Sequence, residues 1–231
     1  MARRPATRDA VSAPAAAGES PSGPLTRERI VAVALALVDK EGLSALSMRR
    51  LGAELGADPM AAYHYLPNKQ ALLDAIVEAV MAEIDLSLDD PAQPAEERVM
   101  YAARAYRDVL LAHANALPIL LSRGPSTPAA LRPVELLIGI FRDAGLPAAQ
   151  ALAAMNTVAA TVRGTVGMVA DTAAAPVEPD HLEARAMELP PDQFPHLRET
   201  ALCVPDFLGK DFEFGIRALA RGLLLGTTPS R

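Results

Sequence analysis

Cysteine is almost missing from this chain. Cys203 stands alone, which excludes an internal disulfide and a cysteine-rich zinc site and makes a reducing, cytoplasmic setting the expectation. Tryptophan is absent and aromatics make up only 4% of the 231 residues, while 51% are apolar. The core must therefore be alanine, leucine and valine, a composition that favours packed helices over a β-sandwich. No run of about 18 apolar residues is present, so no membrane span is expected. Arg3, Arg4 and Arg8 are not followed by an apolar stretch, so the start does not read as a secretory signal. Lysine is confined to Lys40, Lys69 and Lys210.

What charge there is lies unevenly. The chain carries a net −6, which taken whole disfavours a nucleic-acid partner. Residues 1–24 and 25–69 are each net +1, and residues 70–231, with 13 basic and 21 acidic side chains, hold the whole acidic excess. A face that meets phosphate must come from the first third.

Residues 1–24 are rich in Ala, Pro, Ser and Gly and read as a disordered arm, either inert or touching DNA through Arg3, Arg4 and Arg8. Helical periodicity then begins. Thr26 caps a helix whose Ile30, Val33, Ala34, Leu37 and Val38 share one face, and Gly42 ends it. Ser47 caps a short helix that Gly56 stops. Asp58 caps the next, with Pro59 at its first position, and Asn68 caps a fourth running to about Leu86. Further helices are expected over about 95–113, 117–121, 127–145, 147–172 and 206–225, with one short helix near 180–188 in a proline-rich stretch. No strand signal survives, so the chain reads as all-α.

Two short helices joined by Gly56-Ala57-Asp58 form a helix-turn-helix, a unit that lays its second helix in the DNA major groove; a plain helical hairpin is the alternative. The second helix, Met60-Ala61-Ala62-Tyr63-His64-Tyr65, lacks the Leu or Ile of a buried helix. It offers small residues and then three hydrogen-bonding side chains. Lys69 stands in the first turn of the fourth helix, where the dipole disfavours a cation by roughly 0.3–1 kcal/mol. A phosphate held by Lys69 and the N–H groups of that turn would compensate.

These residues carry a resemblance. Ser47-Met48-Arg49-Arg50-Leu51-Gly52-Ala53-Glu54-Leu55-Gly56, then Tyr63-His64-Tyr65-Leu66-Pro67-Asn68-Lys69, then Ala71-Leu72-Leu73-Asp74 resemble the DNA-binding domain of the TetR family of transcriptional regulators. Phe212-Glu213-Phe214-Gly215-Ile216-Arg217-Ala218-Leu219 with Gly222-Leu223 is similar to the last helix of the subgroup that includes the tetracycline-responsive repressor. The resemblance implies a helix-turn-helix domain over residues 25–68 and a larger helical ligand-binding and dimerisation domain over 69–231. It implies a repressor, not an enzyme, released from a palindromic operator on double-stranded DNA by a small-molecule effector. It also implies roles. Ser47 would cap its helix and touch a phosphate. Arg49 would reach a base edge or phosphate. Met60 and Ala61 would face thymine methyls. Tyr63 and His64 would contact base or phosphate, and Tyr65 and Lys69 a phosphate.

Family members are dimers through their last two long helices. The helix 147–172 carries Ala159, Gly164 and Gly167, and the last helix carries Gly215, Ala218 and Gly222. Glycine inside a helix costs about 1 kcal/mol against alanine, so its repetition suggests close helix approach, at a homodimer seam or within one subunit. The pocket is expected to be lined by Met81, Tyr101, Leu117, Leu120, Leu121, Phe141, Met155 and Met168. Asn156 and Arg163, seven apart on one face, serve either ligand contact or hydrogen bonding between helices. Ala160, Met168 and Leu120 stand where the tetracycline-responsive members would be expected to place metal ligands, so no cofactor or metal is expected. His113, His181 and His196 lack metal-site spacing. The competing reading is a helical small-molecule-binding protein or enzyme with an incidental helix-turn-helix. The sequence offers that enzyme no nucleophile–base spacing, phosphate loop or paired carboxylates.

Overall fold

The computed structural model describes residues 24–174, 179–201 and 211–225. The arm over residues 1–23, the side chain of His181, Cys203 and Lys210 lie outside the described residues. Those described contain eleven α-helices and no strand. In order they are α1 (Arg27–Glu41), α2 (Met48–Leu55), α3 (Pro59–Tyr63), α4 (Lys69–Ala82), α5 (Ala95–Ala112), α6 (Leu117–Ser122), α7 (Pro128–Asp143), α8 (Ala148–Ala174), α9 (Pro179–Met187), α10 (Pro195–Ala201) and α11 (Asp211–Leu225). Short 3-10 turns at Leu43–Ala45 and Ala114–Ala116 precede α2 and α6. Among the described residues no helix is long and apolar enough to cross a membrane.

The expected caps are in place. The side chains of Thr26, Ser47, Asp58 and Asn68 accept from the backbone N–H groups of Arg29, Arg50, Met60 and Ala71 at 3.1, 3.2, 2.8 and 2.8 Å. Each satisfies an orphan donor whose loss typically costs about 1 kcal/mol. Three boundaries differ from the sequence reading, and the first is that α3 ends at Tyr63, so His64 and Tyr65 follow it. Helix α4 stops at Ala82, four residues early. Helix α10 lies where prolines read only as breakers; Pro195 occupies its first position, where a missing N–H costs nothing. The Arg198 guanidinium donates to the Leu189 carbonyl at 2.9 Å and to that of Met187, tying α10 to the end of α9.

One apolar cluster runs from Ile30 in α1 through Leu51, Leu72, Ile76, Met100, Leu110 and Phe141 to Ile216 in α11. Helix α5 is its axle, packed against α7, α8 and α11. Ion pairs fix α11 on it: Arg104 donates to Glu213 at 2.6 Å, Arg217 to Glu96 at 2.7 Å and to Glu97 at 2.6 Å. The Arg107 guanidinium lies 4.4 Å over the Phe212 ring. Phe141 and Leu117, expected at a pocket, are instead buried in this core.

Candidate nucleic-acid interface and internal cavity

The α2–turn–α3 unit depends on two glycines. Gly56 ends α2 at φ +63°, a left-handed conformation that L side chains rarely adopt. Gly52 faces the start of α3 so closely that a Cβ there would stand 2.9 Å from Pro59 Cγ and 3.0 Å from the Ala57 carbonyl oxygen. Leu51, Leu55, Ala62 and Leu66 turn inward, so the opposite side of α3 faces out. Met60 is 64% exposed and Tyr65 45%. His64 is exposed, and Tyr63 and Ala61 are half-buried.

The cations of this face divide into three states. Arg50 is held by Glu54 at 2.9 Å and Glu41 at 3.0 Å, a structural brace between α1 and α2. Arg49, one residue earlier, is exposed and makes no ion pair among the described residues. Lys69 donates through Nζ to the Leu46 carbonyl at 2.7 Å. That bond is the local reason for a lysine at a helix start: it secures the turn before α2 from 23 residues away. Its partner is neutral, so its charge is not cancelled. Ser47 Oγ is occupied by its cap and stands exposed at the same edge.

Behind this unit, α1 and α4 are fastened to the loop after α5 by His113. Its Nδ1 lies 2.8 Å from Asp39 and its Nε2 2.9 Å from Glu83, while Asn115 donates to the Asp39 carbonyl at 2.7 Å. Burial disfavours the imidazolium, but the bonds to Glu83 and Asp39 outweigh it and hold the His113 pKa above its ordinary value. A raised folded-state pKa gives stabilisation that is complete below about 6.5 and is lost as pH climbs through the raised value. The melting temperature of His113→Gln is therefore expected to fall below that of the parent near pH 6. The gap should narrow by pH 8.5, with roughly 2–4 °C for each kcal/mol lost in a chain of this size. A gap independent of pH would show that the bridge works as neutral hydrogen bonds.

A cavity of about 290 Å³ lies between α4, α5, α7 and α8. Of the residues expected there, Met81, Leu120, Met155, Asn156 and Arg163 line it. The others do not. Tyr101 points to the α4–α5 connection, where its hydroxyl donates to the Asp85 carbonyl at 2.8 Å and accepts from Leu88 N–H at 3.1 Å. Leu121 is 61% exposed, because the short α6 turns Leu120 inward instead. Met168, 72% exposed, lies on the outer face of α8. Tyr106, Arg123 and Val134 join the lining without having been expected. Tyr106 is five residues from Tyr101, hence well round the helix, and only the seating of α5 selects between them.

The wall is coupled to α4. Arg123 lines the cavity and forms an ion pair with Asp74 of α4. Four residues after Asp74, Glu78 accepts from Ser126 N–H at 2.6 Å and Thr127 N–H at 3.1 Å, and from both hydroxyls. Burial pushes the Glu78 carboxyl up, but the bonds from Thr127 and Ser126 outweigh it and hold it below its ordinary value.

The small residues of α8 and α11 fall into two groups. Gly164, Gly215 and Gly222 have no atom within 4 Å of where a Cβ would stand, and Ala218 is exposed. Leu152, Val169 and Leu225 are exposed by 49, 49 and 85% on the same two helices. Ala159 instead lines the cavity, and a Cβ on Gly167 would meet Leu117 at 3.6 Å. These two therefore have neighbours within the subunit, whereas Gly164, Gly215 and Gly222 have none. Thr161 and Thr165 donate to the carbonyls four residues back, so they need no partner on another helix.

Residues 30–76 match the family model described as bacterial regulatory proteins, tetR family, and residues 90–225 that described as tetracyclin repressor-like, C-terminal domain. A curated relative, the HTH-type transcriptional repressor DrrR1 of Streptomyces coeruleorubidus, is 35% identical over 54% of this chain and 47% of its own. A second, an HTH-type transcriptional regulator of Saccharopolyspora erythraea, is 32% identical over 62% of this chain. The match spans 60% of it, so about half the length of these two relatives is covered. Among solved structures, ActR of Streptomyces coelicolor in complex with actinorhodin superposes with a TM-score of 0.75 at 30% identity, covering 88% of this chain and 99% of ActR. BioQ with its double-stranded DNA operator superposes with a TM-score of 0.61 at 25% identity, covering 87% and 99%.

Proposed function

The chain belongs to the TetR family of bacterial regulatory proteins, and from that premise we propose that it is a dimeric repressor. It reads a palindromic operator with α3 and releases it when an organic effector fills the cavity behind α4. It is a transcription regulator, not an enzyme, and this work on DNA puts it in the cytoplasm. One observation carries the reading. A helix-turn-helix whose inner side is sealed by Leu51, Ala62 and Leu66 leaves Met60, His64 and Tyr65 exposed beside an unneutralised Arg49. A surface of that kind, small, basic and rich in hydrogen-bonding groups, suits a base edge and its flanking phosphates. The ActR complex and the BioQ–operator complex supply the precedent for both ligands on the same architecture.

Arg49→Ala tests the reading head. The loss is expected to be about 1–3 kcal/mol and confined to one position of each half-site if Arg49 reads a base. A uniform loss across all sequences, with the slope of log K against log salt flattened by about 1, would make it a phosphate contact. No loss of either kind would remove Arg49 from the interface. Lys69→Ala is a poorer probe, because it also frees the Leu46 carbonyl.

The effector follows from the cavity. Val77, Met81, Leu137 and Met155 give it an apolar wall of about 290 Å³, which suits a bulky, largely apolar organic molecule. Its binding is expected to be indifferent to magnesium, checked by calorimetry with the metal and with chelator.

A further inference from the structure

The same cavity has a polar end whose chemistry is one-sided. Among the described residues no carboxylate lines it, but two arginines do. Arg123 is taken by Asp74. Arg163 makes no ion pair among the described residues, and it shares the cavity wall with Tyr106. Burial pushes the Tyr106 phenol up, so it remains protonated at neutral pH. Its O–H is a donor available to a ligand in the cavity. Both groups thus present protons to the interior of a mostly apolar space. A half-buried guanidinium without a counter-charge is a costly arrangement that an anion relieves. Hydrogen bonds from an ionised donor to an ionised acceptor are also about twice as strong as neutral ones.

We propose that the effector is an organic anion, an apolar ring-sized body bearing one acidic group that Arg163 and Tyr106 bind. The proposal rests on the cavity being the effector site and adds the class of molecule it selects. Asn156, on the same face of α8 and in the same wall, supplies a neutral amide that serves a second oxygen without distinguishing acid from ester.

Two fluorescent probes with one ring body test this directly. 8-Anilino-1-naphthalenesulfonate carries an acid, and N-phenyl-1-naphthylamine is the same skeleton without it. A purely apolar cavity takes the neutral probe more tightly, since it loses no hydration of a charge. The sulfonate is expected to bind this protein at least tenfold more tightly than the amine. Arg163→Gln should abolish or reverse that preference while changing the affinity of the amine less than twofold. Arg163→Lys should retain part of it, and Val134→Trp, which fills the cavity, should expel both probes. Thermal melts of each variant check that it is folded. Equal or tighter binding of the amine to the parent overturns the proposal, and so does a preference that survives Arg163→Gln or Val134→Trp. An amine that binds in the cavity without any sulfonate preference contradicts the anion alone. Failure of both probes to bind contradicts the effector cavity itself, and the proposal with it.

Discussion

Replacing Gly164 and Gly222 together by leucine is expected to leave each chain folded and to lower operator affinity by about 10²–10⁴-fold, the range lost when two linked half-sites act singly. The effect has opposite signs in the single chain and in the dimer. In the single chain a Cβ at either position meets nothing within 4 Å. Leucine therefore fits there and removes the roughly 1 kcal/mol that each helical glycine costs. The isolated subunit should melt slightly higher. At a helix seam between subunits, where axes lie about 8–10 Å apart, two added isobutyl groups have no such room. Sedimentation should show monomers with raised thermal stability and no tight operator binding. Variants that remain dimeric and bind normally would take both glycines out of the seam.

The second large effect concerns coupling. Residues 123–125 line the cavity, while the next two, Ser126 and Thr127, grip Glu78 of α4. Helix α4 begins at Lys69, directly behind the reading head, so a tilt of α4 moves α3. A dimer must hold its two reading helices about 34–36 Å apart to enter successive major grooves. A ligand that favours a wrongly spaced state therefore expels DNA. Complete switching requires a differential affinity of about 10⁴-fold, or 5.5 kcal/mol, and operator must weaken ligand binding by the same factor. Glu78→Ala is expected to cut that mutual factor at least tenfold while the protein still binds each partner alone. Titration of a cavity ligand into free and operator-bound protein measures it. An undiminished factor would place the coupling outside the Ser126–Thr127–Glu78 clasp.

The features legible in the sequence are those governed by neighbours a few residues apart. Thr26, Ser47, Asp58 and Asn68 cap the helices they precede because capping is a bond across two or three residues. Lys69 breaks a local rule, which in sequence points to a phosphate. Its bond to Leu46 resolves that conflict within the chain, and nothing in the local sequence points to a carbonyl 23 residues away. The cavity shows the same limit. Asn156 and Arg163 share one face of α8 by their spacing, and both line the cavity. Tyr106 is not legible in the same way, because α7, α8 and α11 all pack on α5 and their seating decides which of its sides meets the cavity. Composition leaves Ala159 and Gly167 to a subunit seam or to packing within the chain, and their phase on α8 sets them beside the cavity and Leu117.

Selection of bound duplexes from a random-sequence DNA pool, followed by sedimentation of the recovered complex, tests whether a dimer reads DNA through α3. A dimer reading DNA through α3 predicts inverted repeats whose half-site centres lie one helical turn or a multiple apart. It also predicts an even number of chains per duplex and an affinity that falls steeply with salt. Enrichment of no sequence, or of an asymmetric site bound by a single chain, would contradict it.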